Sequence, residues 1–389
     1  MTGNRVVARR VSMPPVYAPI SARSVIRGVF AAIGFDNDSR ETLRRLIEAE
    51  YSCRDLVLLD SGTTALTLAM RGASLLSDSD VVAIPNFCCF DIATALVGAD
   101  CRAALYDIRP DSLGPDFESL REALEAGART VVVAHLFGLP IDLDKTRELC
   151  SQFEALLIED AAQAVGGKWD GRVLGSLGSL GILSFGRGKG RTGGGGGALL
   201  ANDRMGEAAL TLVRDSSVAG GRGLGTMVRL LGQFLFGRPP QFALAARVPQ
   251  LNLGETVYKD PWPARGIDRA AAAALVSNWA ESSRAARLRA TRAFGHTRRI
   301  GKDESLLIPR APAKGVAGYL RYPVVLRGSA EHPLEMEPGV SPSYPTEIRR
   351  LPAMQDRIVY ATEGDGARLL AQRLRTVPTH KWARKGGSI

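Results

Sequence analysis

The lysine that asks for an explanation is Lys189, in "SFGRGKGRTGGGGGALLAND" (184–203), where it ends a short strand-like run, "GILSFG", and precedes five consecutive glycines, Gly193 to Gly197. Two phosphate motifs come close and fail. Gly188 to Gly193 fits GxGxxG, but that fingerprint needs a helix opening within the loop, and a glycine run is a poor helix former. A Walker loop needs GxxxxGK followed by Ser or Thr. Here Leu183 stands where its first glycine belongs, and Gly190 stands where the hydroxyl belongs. What remains is a primary amine on backbone that a ligand can approach closely. Such an amine forms imines with carbonyl cofactors, notably pyridoxal 5'-phosphate. That cofactor also needs a carboxylate for its pyridine nitrogen, a phosphate cup and something flat over its ring.

Each part has a candidate. Asp160 ends the strand-like "ALLIED" (155–160), at the edge where open α/β sheets bind ligands, and Gln163 follows within reach of the ring's phenolic oxygen. "DSGTTAL" (60–66) passes from strand to helix, so the backbone N–H groups of Gly62, Thr63 and Thr64 can hold a phosphate at a helix N-terminus. Ser184, five residues before Lys189, can add a hydroxyl, and Phe87 or Phe90 in "PNFCCFDIATAL" can supply the stacking ring. Taken singly, these residues have ordinary explanations: Asp160 and Ser61 as helix caps, the phenylalanines as core, the lysine as solvated surface. Their order and spacing together favour a cofactor site.

The elements that must position them alternate. "LVLLD" (56–60), "VVAIP" (81–85), "CRAALYDI" (101–108), "TVVVAH" (130–135) and "ALLIED" read as buried strands, and "TTALTLAMRGASLL" and "DFESLREALEAG" read as helices, the latter capped by Asp116. The alternation predicts an α/β fold with a mainly parallel sheet. Beyond it, "MVRLLGQFLFG" (227–237) reads as an amphipathic core helix, with a membrane-surface or partner-binding role as the less favoured reading. An Ala/Arg-rich helix over 268–294 is suited to crossing between domains, and a strand at 319–328 and a helix at 366–374 suggest a small α+β domain. The expected division is an N-terminal arm (1–35), a large domain (36–284) and a smaller C-terminal domain (285–389).

With 389 residues, 45% hydrophobic and 23% charged, the composition is that of a folded, globular chain, and no apolar run reaches membrane-spanning length. The N-terminus lacks the apolar core and cleavage site of a secretory signal, which points to the cytoplasm. Five scattered cysteines argue against a disulfide framework and a zinc site. The net charge of +10 attracts nucleic acid, anionic lipid or phosphorylated metabolites alike; basic residues run throughout the chain without an RNP or C2H2 pattern, so nucleic acid is not expected as a partner.

The quoted segments "DSGTTALTLAM", "VVAIPNF", "VVAHLFGLPID" and "LIEDAAQAVGGKWDGRVLGSLGSLGILSF", followed by Lys189, resemble the DegT-like sugar aminotransferases, within the fold type I enzymes that use pyridoxal phosphate. The likeness spans Leu56 to Asp203, with echoes at "VSPSYPTEI" and "LRTVPTH". It implies Lys189 as the lysine bound to the cofactor, Asp160 as the pyridine partner, Gln163 as the O3' partner, and Ser184 with the "SGTT" turn as the phosphate site. It also implies ping-pong transfer from an amino-acid donor, typically glutamate, to a keto-sugar, often nucleotide-linked, by a homodimer in surface-polysaccharide or glycosylated-metabolite biosynthesis. The family's dehydratases carry histidine where Lys189 stands. The chain departs from the family's usual K-N-L-T-T-G-E-G-G-A by reading "KGRTGGGGGA", so Gly190, Gly193 and Gly195 replace Asn, Thr and Glu, as if bare backbone floored the pocket. The G-x-N-x-R element is not recognisable; Asn252 and Arg265 in "VPQLNLGETVYKDPWPARGID" only suggest it. A non-sugar ketone as substrate, or a non-catalytic scaffold, are the alternative readings.

Overall fold

The computed structural model describes residues 13–36, 38–246, 256–328 and 332–383. Helices α1 (Ala22–Ala32) and α2 (Ser39–Tyr51) precede a run in which strands β1 (Asp55–Leu59), β2 (Val81–Pro85), β3 (Arg102–Tyr106), β4 (Thr130–Ala134) and β5 (Leu156–Asp160) alternate with α3 (Gly62–Ser77), α4 (Asp91–Gly98), α5 (Phe117–Glu125) and α6 (Leu143–Gln152). β2 and β4 are buried along their whole length, as parallel strands covered on both faces must be. The helices start where side chains satisfy their first N–H groups: Asp116 accepts from Glu118 and Ser119, and Asp142 from Lys145.

A short hairpin, β6 (Lys168–Trp169) and β7 (Arg172–Val173), is followed by β8 (Leu180–Ser184) and β9 (Gly197–Ala201), with α7 (Arg204–Val213) after them. β9, which is not among the strands expected from the sequence, lies between β1 and β8. Next come α8 (Leu224–Phe236), α9 (Pro239–Ala245) and the 32-residue α10 (Arg269–Ile300). The last part of the chain holds β10 (Leu306–Leu307), β11 (Gly315–Val316), β12 (Arg321–Leu326), β13 (Ser341–Pro342), β14 (Ile358–Ala361), α11 (Gly366–Arg373) and β15 (Leu374–Pro378).

The large sheet has the order β1-β9-β8-β5-β4-β2-β3-β14, and only β9 runs against the other strands. The carboxyl ends of β1, β2, β4, β5 and β8 therefore point to one edge. The C-terminal part of the chain returns to this sheet: β14 adds a parallel edge strand on β3, and Asp107, just after β3, accepts the N–H groups of Gly366 and Ala367 at the start of α11. A Cβ at 366 would stand 2.0 Å from the Ile108 carbonyl oxygen, so this docking needs glycine.

β12, β15, β10 and β13 form a second, antiparallel sheet over a small apolar cluster that includes Tyr322, Val324, Leu326, Ala293 and Ile300. α10, about 48 Å long at 1.5 Å per residue, buries Ala271, Ala272, Leu275 and Trp279 in the large core and Ala293 and Ile300 in the small one. Position 285 lies inside this one unbroken helix. α8 differs from the expected core helix: it buries only Thr226 and Leu230 and leaves Leu224, Val228, Leu231, Leu235 and Phe236 exposed.

Candidate active site

The first turn of α3 is built by Ser61, whose Oγ accepts from the Thr64 N–H at 3.0 Å. The Thr64 hydroxyl, 2.5 Å from Asp60 Oδ1 and 2.8 Å from Ser61 Oγ, closes the same turn. Of the three N–H groups expected to face a ligand, that of Thr64 is thus already used by the cap. Those of Gly62 and Thr63 belong to the group at a helix start that has no partner within the helix. Gly62 lies directly against Ser184, where a Cβ would stand 2.7 Å from the Ser184 Cβ and 2.9 Å from its Oγ. β9 locks the two segments together: Gly196 N–H donates to the Asp60 carbonyl and Phe185 N–H to the Gly196 carbonyl, both at 2.8 Å. Turn and hydroxyl thus form one cup at the sheet's carboxyl edge.

Asp160, at the end of β5, receives the Ala162 N–H on Oδ1 at 2.9 Å. Burial pushes its carboxyl above the ordinary range, while the Ala162 N–H and the positive charge of Lys189 pull the other way. The same ammonium acts on the thiols of Cys88 and Cys89, just beyond β2. Lys189 thus lies within electrostatic reach of Asp160, Cys88 and Cys89, and among the described residues it makes no ion pair.

Gln163 is held at both ends: Nε2 donates to the Tyr344 hydroxyl at 2.8 Å, and Oε1 accepts the Phe137 N–H at 3.1 Å. Phe87 is fully buried and meets Tyr344 edge-on at 5.3 Å, and Tyr344 stacks on Phe137 at 5.8 Å. Phe90 is also buried and precedes the first turn of α4. Lys189, Asp160, Ser184, Gly62 and Thr63 are brought to one edge of the sheet. Gln163 and Phe87 join them through Tyr344.

The glycine run does not floor a pocket. A Cβ at 193 would be 2.6 Å from the Ala271 carbonyl oxygen and 2.7 Å from Leu275 Cγ on α10; at 197 it would be 2.3 Å from the Ser61 oxygen. Gly194 and Gly196 have φ of +78° and +106°, a region that L side chains rarely adopt. Gly190 has a similar reason, since a Cβ there would meet Val165 Cβ at 2.8 Å and the Arg289 guanidinium at 3.0 Å. Only Gly195 has space around it, beneath Arg229 at 3.5 Å. These glycines let α8, α10 and the β1–α3 turn close on the loop that carries Lys189.

Several residues at or behind the site carry no local signal. Arg191, two residues past Lys189, is 1% exposed, lies 3.5 Å over the Trp279 ring and donates to Glu50, pinning the loop. Glu159 is wholly buried and accepts from His135 Nε2 at 2.9 Å and from the N–H groups of Gly175, Leu177 and Gly178, fixing the turn that leads into β8. Burial works against its charge, yet these donors hold its carboxyl below the usual range. Arg321 begins β12; because Tyr322, Val324 and Leu326 point into the small cluster, strand alternation turns Arg321 to the opposite face. Burial lowers its pKa, against the opposing influence of Tyr344 and Cys89, and its side chain makes no hydrogen bond or ion pair among the described residues. All four lie in stretches singled out in the sequence, Glu159 in "LIEDAAQ", Arg191 in "KGRTGG", Arg321 in the strand expected at 319–328 and Tyr344 in "VSPSYPTEI", but none is assigned a role there. Asn252 lies outside the described residues, while Arg265 runs beside Asp60, whose N–H donates to the Arg265 carbonyl.

Residues 41–232 match the sequence profile of the DegT/DnrJ/EryC1/StrS aminotransferase family. Residues 41–232, just under half of the chain, thus belong to the DegT/DnrJ/EryC1/StrS aminotransferase family. The chain is 30% identical over 183 residues to an L-glutamine:2-deoxy-scyllo-inosose aminotransferase of Streptomyces kanamyceticus, covering 47% of this chain and 42% of that one. It is 29% identical over 165 residues to a GDP-perosamine synthase of Vibrio cholerae, covering 42% and 45%. The matching stretch thus spans less than half the length of either relative. Over 96% of this chain and 95% of the other, the fold is like that of AtS13 from Actinomadura melliaura, with a TM-score of 0.74 at 19% identity. The expected α/β architecture with a mainly parallel sheet flanked by helices is the one observed.

Proposed function

We propose that the chain is an aminotransferase that uses pyridoxal 5'-phosphate to move an amino group from an amino acid to a keto-sugar. The observation that carries this reading is the convergence of one amine, one recessed carboxylate and one helix start beside a hydroxyl on the carboxyl edge of a single sheet. The residues present fit the cofactor. Asp160 lacks a cationic hydrogen-bond donor that would offset its burial, and a protonated pyridine nitrogen is one. Gly62 and Thr63 N–H with Ser184 Oγ suit a phosphate, the second hydrogen on Gln163 Nε2 suits the phenolic oxygen, and Phe87 or Phe90 suits the ring face. Lys189 is the amine for the carbonyl carbon.

Bound there, the cofactor supplies the electron sink that lets the Cα–H bond of an amino acid ionise. Lys189 Nζ would take the Cα proton of the donor and return it to the carbon that was the cofactor's carbonyl, acting as base and then as acid. Asp160 stays ionised through that transfer because it holds a positive partner. Arg321, a cation without a carboxylate on the open face of β12, receives the α-carboxylate of the donor and orients its Cα–H bond.

The names of the relatives, one with L-glutamine and an inosose and one with a GDP-sugar product, support an amino-acid donor and a keto-sugar acceptor. They favour glutamine beside the glutamate expected from the resemblance. The reading includes a homodimer, supported by that resemblance, at work in the cytoplasm; no described helix is long and apolar enough to cross a membrane. The test separates the half-reactions. L-Glutamine or L-glutamate should convert the cofactor to its amine form with release of the 2-oxo acid, and a keto-sugar should restore the aldehyde form. Restoration by non-sugar ketones alone would overturn the sugar assignment.

A further inference from the structure

The excess positive charge of the chain has a location. Residues 1–35 and 216–254 contain nine of the 50 basic residues, all arginine, and none of the 40 acidic ones, which leaves 41 basic and 40 acidic residues elsewhere. The rest of the molecule is therefore nearly neutral. The described parts of these two segments meet in space: α1 packs on α8, and a Cβ at Gly28 of α1 would stand 2.9 Å from Leu230 Cδ1 of α8. The two helices present apolar rows to solvent at helical spacing, Ile26, Phe30 and Ile33 on α1 and Leu224, Val228, Leu231 and Leu235 on α8, each row side chain 38 to 64% exposed. Arg23 and Arg27 on α1, with Arg222, Arg229 and Arg238 within or flanking α8, are exposed around them. α1, α8 and α9 contain no Asp or Glu.

We infer that the α1–α8 face is a docking surface for an anionic lipid bilayer, on which the chain lies as a peripheral protein. Large apolar side chains in rows beside arginines are what an interfacial helix uses: the former enter the acyl boundary while the guanidinium groups remain with the phosphates. The negative potential of a cytoplasmic leaflet supplies the complementary charge. A second copy fits this face poorly, because a twofold axis through it would bring arginines against arginines with no carboxylate from either helix between them. Nucleic acid would leave the apolar rows without a partner. Asp36 and Asp268, at the ends of this region, are engaged within the fold, Asp36 by the Ser39 hydroxyl and Asp268 by the Thr226 hydroxyl and the Ala271 N–H. This inference is independent of the chemistry proposed for Lys189.

The test is vesicle flotation of the full-length protein with cofactor added. It compares phosphatidylcholine vesicles with vesicles containing about one third phosphatidylglycerol, at low salt and at about 0.5 M salt, where the Debye length falls below about 5 Å. Binding is expected to the anionic vesicles only, and to fall at least tenfold in high salt. The triple variant Val228→Gln, Leu231→Gln, Leu235→Gln should lose binding at least tenfold, and the double variant Arg27→Gln, Arg238→Gln severalfold. Both should keep the circular dichroism of the parent, since all five positions are exposed. Three outcomes overturn the inference: absence of binding to anionic vesicles, equal binding by the triple variant, or conversion of a dimer to monomers by that variant without any change in vesicle binding. The last would show the face to be a subunit interface.

Discussion

Gly62 and Ser184 touch: the space a Cβ would need at position 62 is occupied by the Ser184 side chain, 2.7 Å from its Cβ and 2.9 Å from its Oγ. The start of α3 and the end of β8 are thereby joined into one cup, and Gly62→Ala must push the hydroxyl out of it. One hydrogen bond to a charged phosphate contributes about 1.5–3 kcal/mol, so the Kd for pyridoxal 5'-phosphate should rise roughly tenfold to a hundredfold. Fluorescence titration of the apo protein measures this, and an unchanged Kd would place the phosphate elsewhere.

Asp160→Asn separates the cofactor's requirement from the fold's. Burial raises the Asp160 carboxyl above its unfolded value, so between the two pKa values the native state binds more protons than the unfolded state. Apo-protein stability must then fall as pH rises from the ordinary aspartate range through the raised pKa. The asparagine variant keeps an oxygen for the Ala162 N–H and carries no charge, so its apo form should be at least as stable as the parent at neutral pH, and the pH slope should flatten. Cofactor binding should weaken over the same range. Denaturant midpoints across pH test the first expectation and titration the second.

Glu159→Gln should have the opposite signature. The carboxylate accepts from His135 and three backbone N–H groups, and an amide turns an NH2 towards some of these donors. A loss of roughly 3 kcal/mol is expected, read as a lower urea midpoint with an unchanged slope.

If Arg321 holds the donor's carboxylate, Arg321→Gln should raise the donor KM at least tenfold while the half-reaction with the keto acceptor keeps its rate. Arg321→Lys, which retains charge without the fork, should recover part of the loss. Binding of glutarate, a carboxylate with no amino group, should weaken in parallel by calorimetry. Equal effects on both half-reactions would assign Arg321 a structural role.

How much of this was legible depends on range. The strands from Leu56 to Asp160 announce themselves because a parallel strand covered on both faces must be apolar throughout, and the Ser61 turn and the Asp116 cap are local chemistry. β14 is four residues that become a strand only by lying on β3. The run Gly193 to Gly197 reads as an open floor until α10 is placed against it, since only that approach shows that Ala271 and Leu275 occupy the missing side-chain space. Arg321 and Glu159 are likewise silent: one depends on which face of β12 meets the small core, the other on a turn 16 to 19 residues ahead. α8 looked like a core helix because its composition is apolar; burial is decided by what packs on it, and little does.

The central claim is that Lys189 is the amine that holds the cofactor. Incubation with pyridoxal 5'-phosphate, reduction with borohydride and peptide mass mapping test it most directly. The account predicts an absorbance band at the violet edge of the visible, its loss on reduction, and the added phosphopyridoxyl mass on Lys189 alone, with no band in Lys189→Ala. A reduced adduct on a different lysine, or a band that persists in Lys189→Ala, would contradict it.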